Sequence, residues 1–200
     1  MNENQTGSTK KKPASFKESV LLYLHDFAYL LAAVLVILLL LFRVVVVDGP
    51  SMENTLKHGD YLLLLSNVFY QDPQPGDVVV LAKDSFKNGE PIIKRVIATE
   101  GQKVSIDFST GIVYVDDIPL DEPYTKEPTI LRGDMPESVI VAQGCVFVMG
   151  DNRNNSRDSR FSDIGMVDRR EIIGKALLIC FPGSGMYGNE QDFSRIGVIS

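Results

Sequence analysis

The chain predicts a mostly β fold: an antiparallel sheet or barrel-like domain behind one N-terminal transmembrane helix. Three observations predict it. One apolar segment is long enough to span a bilayer, a series of short β-branched runs follows it, and Gly, Pro or Asn turn signals separate those runs. Two hundred residues hold one ordinary domain and an anchor.

Residues 1–15 are polar and read as disordered. The tail, residues 1–18, sets Lys10, Lys11, Lys12 and Lys17 against Glu3 and Glu18, a net charge of +2. The apolar segment fits two frames, Val20–Phe42 with 23 residues and Phe27–Val47 with 21. Either suffices, since a span takes about 20. We place the anchor at 19–43, with Arg43 snorkelling to the interface. Residues 35–41 are apolar all round, which favours a membrane span over a core helix, and no small-x-small pattern marks the segment as a removed leader. The lysines before the anchor predict a cytoplasmic N-terminus and an extracytoplasmic body over residues 44–200.

In the body, the strand-like runs are Tyr61–Leu65, Val78–Leu81, Ile92–Ala98, Ile112–Val115, Val139–Val141, Val146–Met149 and Ala176–Ile179. Turn signals such as Gln74-Pro75-Gly76-Asp77 and Ser109-Thr110-Gly111 fall between them. Residues 183–200 are Gly-rich and weakly patterned. From Val44 onward 15 basic residues face 23 acidic ones, a net of −8, which argues against a nucleic-acid partner. Cys145 and Cys180 are too few for a disulfide framework; each lies in an apolar run and reads as a buried thiol, with a bridge as the alternative in an oxidising space. No His, Cys and Glu spacing suggests a metal, and no cofactor is expected.

The candidate chemistry rests on Ser51 and Lys94. A serine needs a proton acceptor to become a nucleophile. The chain has two histidines: His25 in or beside the apolar segment, and His58 in a sequence that reads as a surface turn. A lysine is the better acceptor. In a strand, Ile92, Val96 and Ala98 share the Lys94 face, and aliphatic surroundings favour the neutral amine. Lowering a lysine from about 10.4 to about 8 takes roughly 3 kcal/mol of differential desolvation. Singly, each residue has a plainer reading: Ser51 as a turn serine after Gly49-Pro50, Lys94 as a strand lysine on a solvated edge.

Taken together, the motifs resemble the type I signal peptidases, membrane proteases with a Ser–Lys dyad. The family pattern Ser-Met-x-Pro-Thr-Leu is matched by Ser51-Met52-Glu53-Asn54-Thr55-Leu56, with Asn54 where proline is usual. Gly76-Asp77-Val78-Val79-Val80 matches a second box, and Lys94-Arg95-Val96-Ile97 followed by Gly101 a third. Gly150-Asp151-Asn152 with Ser156-x-Asp158-Ser159-Arg160 matches the last. The match runs from the anchor to about Pro182, and Gly49 resembles the Gram-positive branch.

The resemblance implies that Ser51 is the nucleophile, Lys94 the general base and Ser156 the hydroxyl that orients the lysine. It implies an Asp158–Arg160 pair and an Asp151–Arg95 pair in support. The Ser51 N–H becomes one oxyanion donor. Val47, Met52, Leu56, Val80 and Ile93 match positions lining shallow pockets for small residues, with Val45 at the outer one. The implied partners are signal peptides of secreted preproteins, the lipid bilayer and the secretion translocon. Two other classes fit less well. A non-catalytic membrane accessory protein binding secreted or pilin-type substrates would lack Ser51 or Lys94, and a self-cleaving repressor would carry a DNA-binding N-terminus.

Overall fold

The computed structural model describes residues 16–188 and 190–199, and the reading of residues 1–15 as disordered lies outside them. The chain forms two compact units, one up to Leu39 and one from Leu40 onward.

The first is helix α1, Phe16–Leu41. Its stretch Ser19–Leu41 is 23 residues long with a mean hydropathy of 2.4. At 1.5 Å per residue it is about 34 Å long, enough for a hydrocarbon core of about 30 Å. Phe27, Leu31, Val36 and Leu39 are all exposed, as lipid-facing side chains would be. The helix stops two residues short of the expected anchor boundary, and the frame reaching Val47 is not helical. Phe42–Val46 is strand β1 instead, pairing Val44 with Leu63 and Val45 with Leu62. The cause is the run of four valines, Val44 to Val47, whose branched Cβ atoms are stiff in a helix and suit a pleated sheet.

The second unit is antiparallel throughout. Its larger sheet contains β1, β2 (Tyr61–Ser66), β3 (Val78–Leu81), β4 (Ile92–Thr99), β9 (Cys145–Met149), β10 (Val167–Asp168), β11 (Ile172–Phe181) and β12 (Gly197–Val198). The order is β1-β2-β11-β3-β4-β9-β10, with β12 paired to β11. The smaller sheet has the order β7-β6-β5-β8, from β5 (Lys103–Asp107), β6 (Ile112–Val115), β7 (Ile118–Pro119) and β8 (Ser138–Ile140).

Both faces of the larger sheet are covered at its centre. In β3, Val78 and Val80 join one apolar cluster with Val47, Met52, Leu56 and Leu62, while Val79 and Leu81 join another with Ile92, Val96 and Val148. A strand buried on both faces reads as a continuous apolar run, which is why β3 was legible as one. A third cluster, including Ile97, Ala98, Val104, Val113 and Phe147, joins β4 and β9 to the smaller sheet. The register of β4 on β9 shifts between Val96 and Ala98, so Ala98 does not share the face of Ile92 and Val96 as expected.

Three further differences have local causes. Strand β5 escapes a reading by apolar runs because only Val104 and Ile106 of its five residues are apolar, alternating with polar ones. Cys145 is half-buried, Cys180 is exposed, and neither is bonded to the other: β9 and β11, which carry them, are separated in the sheet by β3 and β4. The weakly patterned C-terminus is ordered by partners: Leu178 pairs with Val198, and the Ile199 N–H donates to the Leu177 carbonyl at 3.0 Å.

Candidate active site

Lys94 lies in β4 opposite Val79 of β3 and is 3% exposed. Its Nζ is 2.8 Å from Ser51 Oγ and donates to the Ile93 carbonyl at 2.8 Å. Burial pushes the amine down to about 8; Asp158 and Asp151 oppose that shift, and Lys87 and Arg160 add to it. At pH 7 roughly one such amine in ten is neutral, against about four in ten thousand for a free lysine.

Ser51 sits in a tight turn between β1 and β2. Gly49 takes φ +95°, where a side chain would be strained. The Glu53 N–H donates to the Pro50 carbonyl at 3.0 Å, and the Leu56 N–H to the Met52 carbonyl at 2.8 Å. His58 is more than a surface turn: its Nδ1 accepts from the Gly49 N–H at 3.2 Å and so braces the turn from behind. Asn152 holds it from the front, donating from its backbone to the Ser51 carbonyl and from Nδ2 to the Pro50 carbonyl, each at 3.0 Å.

The loop after β9 carries two buried forks. Arg160 Nε and Nη2 donate to the two oxygens of Asp158, each at 2.8 Å, and Asp158 also accepts from the Gly150 N–H at 3.0 Å. Arg95 Nε and Nη2 donate to the two oxygens of Asp151, at 2.9 and 2.8 Å. Bidentate pairing and extra hydrogen bonds offset the cost of burying these charges, and removing one partner of such a pair costs about 3–5 kcal/mol. Thr55 Oγ1 donates to Asp151 Oδ2 at 2.5 Å, tying the serine turn to the same fork. The Tyr124 ring lies 4.0 Å from the Arg95 guanidinium carbon. Arg153 donates to both oxygens of Glu122, at 2.8 and 2.6 Å. Sequence reasoning missed Tyr124 and Glu122, which reach the site from the long polar stretch between β7 and β8.

Ser156 is buried beside Gly150. A Cβ added at Gly150 would collide with both the Ser156 hydroxyl and the Ser51 carbonyl, so the loop can pass here only as glycine. The Ser156 hydroxyl makes a long hydrogen bond, 3.5 Å, to the Arg157 carbonyl, while the amine of Lys94 meets Ser51 and Ile93. Ser159 is occupied by the scaffold: its hydroxyl accepts from the Val148 N–H at 2.9 Å.

Ser51 and Lys94 open into a cleft of about 280 Å³. Val45, Val47, Met52, Val80 and Ile93 line it. Leu56 does not; it is fully buried in the core behind the turn. Aliphatic residues near Ser51 look alike in sequence, and only the course of the turn separates wall from core. Phe86, Lys87, Glu90 and Arg157 also line the cleft and were missed, since Lys87-Asn88-Gly89 signals no more than a turn. Among the described residues, no group of three or more His, Cys, Asp or Glu is arranged to hold a metal ion.

A hydroxyl in contact with a desolvated amine, at the mouth of an apolar cleft on a rigid β scaffold, has the parts of a nucleophilic hydrolase of the serine class. The sequence profile of the family described as signal peptidase, peptidase S26, matches residues 20–181, and the chain belongs to that family. It is 41% identical over 165 residues to the probable signal peptidase I-1 of Synechocystis, covering 78% of this chain and 81% of that one. It is 33% identical over 183 residues to signal peptidase I U of Bacillus subtilis, covering 87% and 92%. A solved signal peptidase I from Enterococcus faecalis is 27% identical, with a TM-score of 0.43 over 52% of this chain and 96% of that one. The chain is therefore a serine endopeptidase, anchored to a membrane by its apolar helix.

Proposed function

We propose that this enzyme removes signal peptides from translocated preproteins with a Ser51–Lys94 dyad, through an acyl-serine intermediate. The 2.8 Å contact between Lys94 Nζ and Ser51 Oγ, at a lysine 3% exposed, carries this reading. The neutral amine takes the hydroxyl proton as Ser51 Oγ attacks the carbonyl carbon of the scissile amide. The protonated amine then gives that proton to the leaving nitrogen, and the same base activates water to release the acyl group. The Ser51 N–H meets no acceptor among the described residues and supplies one oxyanion donor.

Val45, Val47, Met52, Val80 and Ile93 leave room for small side chains before the cut, and an extended peptide adds as a strand beside Ile92–Lys94. Asp151 with Arg95 holds the loop after β9 against β4, and Asp158, with Arg160 and the Gly150 N–H, closes that loop on itself. Ser156, buried beside Gly150, is the hydroxyl that the family match assigns to orient the amine. The body works on the extracytoplasmic side, close to the bilayer, where preproteins emerge from the secretion translocon. The test is turnover of a signal-sequence peptide by the purified full chain in detergent. Wild type should cut after the small-x-small motif and Ser51→Ala should not; equal turnover by both would end this reading.

A further inference from the structure

The serine turn is also held from a side that the family match, ending at residue 181, does not reach. Asp60 is fully buried. Its Oδ1 accepts from the Gly183 N–H and from Arg195 Nη1, each at 2.8 Å; its Oδ2 accepts from the Lys57 N–H and from Arg195 Nη2, each at 2.7 Å. Arg195 Nη2 also reaches the Thr55 carbonyl at 3.2 Å. Thr55 is thus gripped twice, by its hydroxyl on Asp151 and by its carbonyl on Arg195. The Asp60 carbonyl accepts from the Val47 N–H at 2.8 Å, so the same residue registers a wall of the cleft. The C-terminal chain passes very close: a Cβ at Gly183 would collide with Gly59 and the His58 carbonyl.

We propose that Arg195 is a positioning residue for Ser51, acting through Asp60 and Thr55, and that the segment bearing Gly183 and Arg195 clamps the serine turn. The inference rests on Ser51 being the nucleophile. Its physical basis is that a buried carboxylate with four donors has one low-energy placement. Loss of the Arg195 fork frees the turn to shift, and a displacement of about 1 Å at reacting atoms costs on the order of a hundredfold in rate.

The experiment compares the full-length wild type with Arg195→Gln in detergent, by turnover of a signal-sequence peptide and by native-state hydrogen exchange. Expected are a fall in kcat of about tenfold or more, KM within about twofold, and a pH midpoint that does not move. The Glu53 and Leu56 amides should exchange about tenfold faster or more, with β4 and β9 unchanged. A folded Arg195→Gln with wild-type kcat overturns the proposal, as does acceleration spread evenly over β4 and β9, which would mark a purely global stabiliser. Should Arg195→Gln fail to fold, Arg195→Lys carries the same comparison: it keeps the charge but not the fork, and an intermediate kcat is expected. Turnover by Ser51→Ala at the wild-type rate would sink the reading of Ser51 itself, and the exchange data would then decide the clamp separately.

Discussion

Asn152 grips Ser51 by the backbone. Its N–H donates to the Ser51 carbonyl and its side-chain amide donates to the Pro50 carbonyl, each at 3.0 Å. These bonds leave the Ser51 hydroxyl free to meet Lys94, and they join two segments about a hundred residues apart. The placement of the serine is therefore set by the loop after β9 as much as by its own turn.

Activity should follow the free amine of Lys94. With the amine pushed down to about 8 by burial, the rate should rise through that pH and level off on the alkaline side. Lys94→Ala should be inactive, and so should Lys94→Arg, because a guanidinium keeps its proton at working pH. A pH–rate profile from 5 to 10 checks this; a flat profile, or an active Lys94→Arg, would rule out the lysine base.

The same burial should cost stability. The folded-state value lies below the ordinary lysine value of 10.5, so the unfolded chain binds the proton more tightly. The penalty is fully present below about pH 8 and fades as pH rises from about 8 toward 10.5. Lys94→Met should therefore raise stability at pH 7 by about 2 kcal/mol, with the gain shrinking toward pH 10. Thermal melts at the two pH values measure it, and a Lys94→Met that is less stable at pH 7 would contradict the assignment.

Gly150→Ala should be nearly inactive yet folded. The added methyl meets the Ser156 hydroxyl and the Ser51 carbonyl, so the loop or the serine turn must move. We expect a loss of about a hundredfold in kcat together with a lower melting temperature, since one of the clashing groups is backbone, from peptide turnover beside a melt. Wild-type turnover would show that the wall gives way freely.

Ser156→Ala should slow turnover by roughly ten- to a thousandfold with little change in substrate binding. Ser159→Ala should act on stability instead, since its hydroxyl caps the Val148 N–H inside the scaffold. Kinetics and melts of the two variants separate the roles. A slower Ser159→Ala would place the orienting role on the other serine.

The lysines of the tail should hold residues 1–18 inside, leaving the body outside. Protease added to intact protoplasts should degrade the body and spare the tail. Cleavage only after lysis would reverse this topology.

Much of the scaffold was legible because its signals are local. The apolar helix declares itself by length, and β3 by burial on both faces. Strand β12 was not legible, because Gly197-Val198 is extended only by pairing with Leu178 and Ile179. Nor was the Asp60–Arg195 pair, whose members are 135 residues apart and lie in segments with no pattern of their own. Leu56 shows the same limit at the cleft: its chemistry suits a pocket wall, and the turn carries it into the core.

The sequence by itself determined an anchor-length helix, an antiparallel β body and a short list of candidate groups, because hydropathy, branching and turn chemistry act over a few residues. Only the tertiary structure decided that helix gives way to strand at Phe42, that Lys94 is dry, that its amine lies 2.8 Å from a serine 43 residues away, and that Arg195 reaches Asp60. Desolvation and hydrogen bonding depend on what surrounds an atom, and in a sheet those surroundings come from strands far apart along the chain.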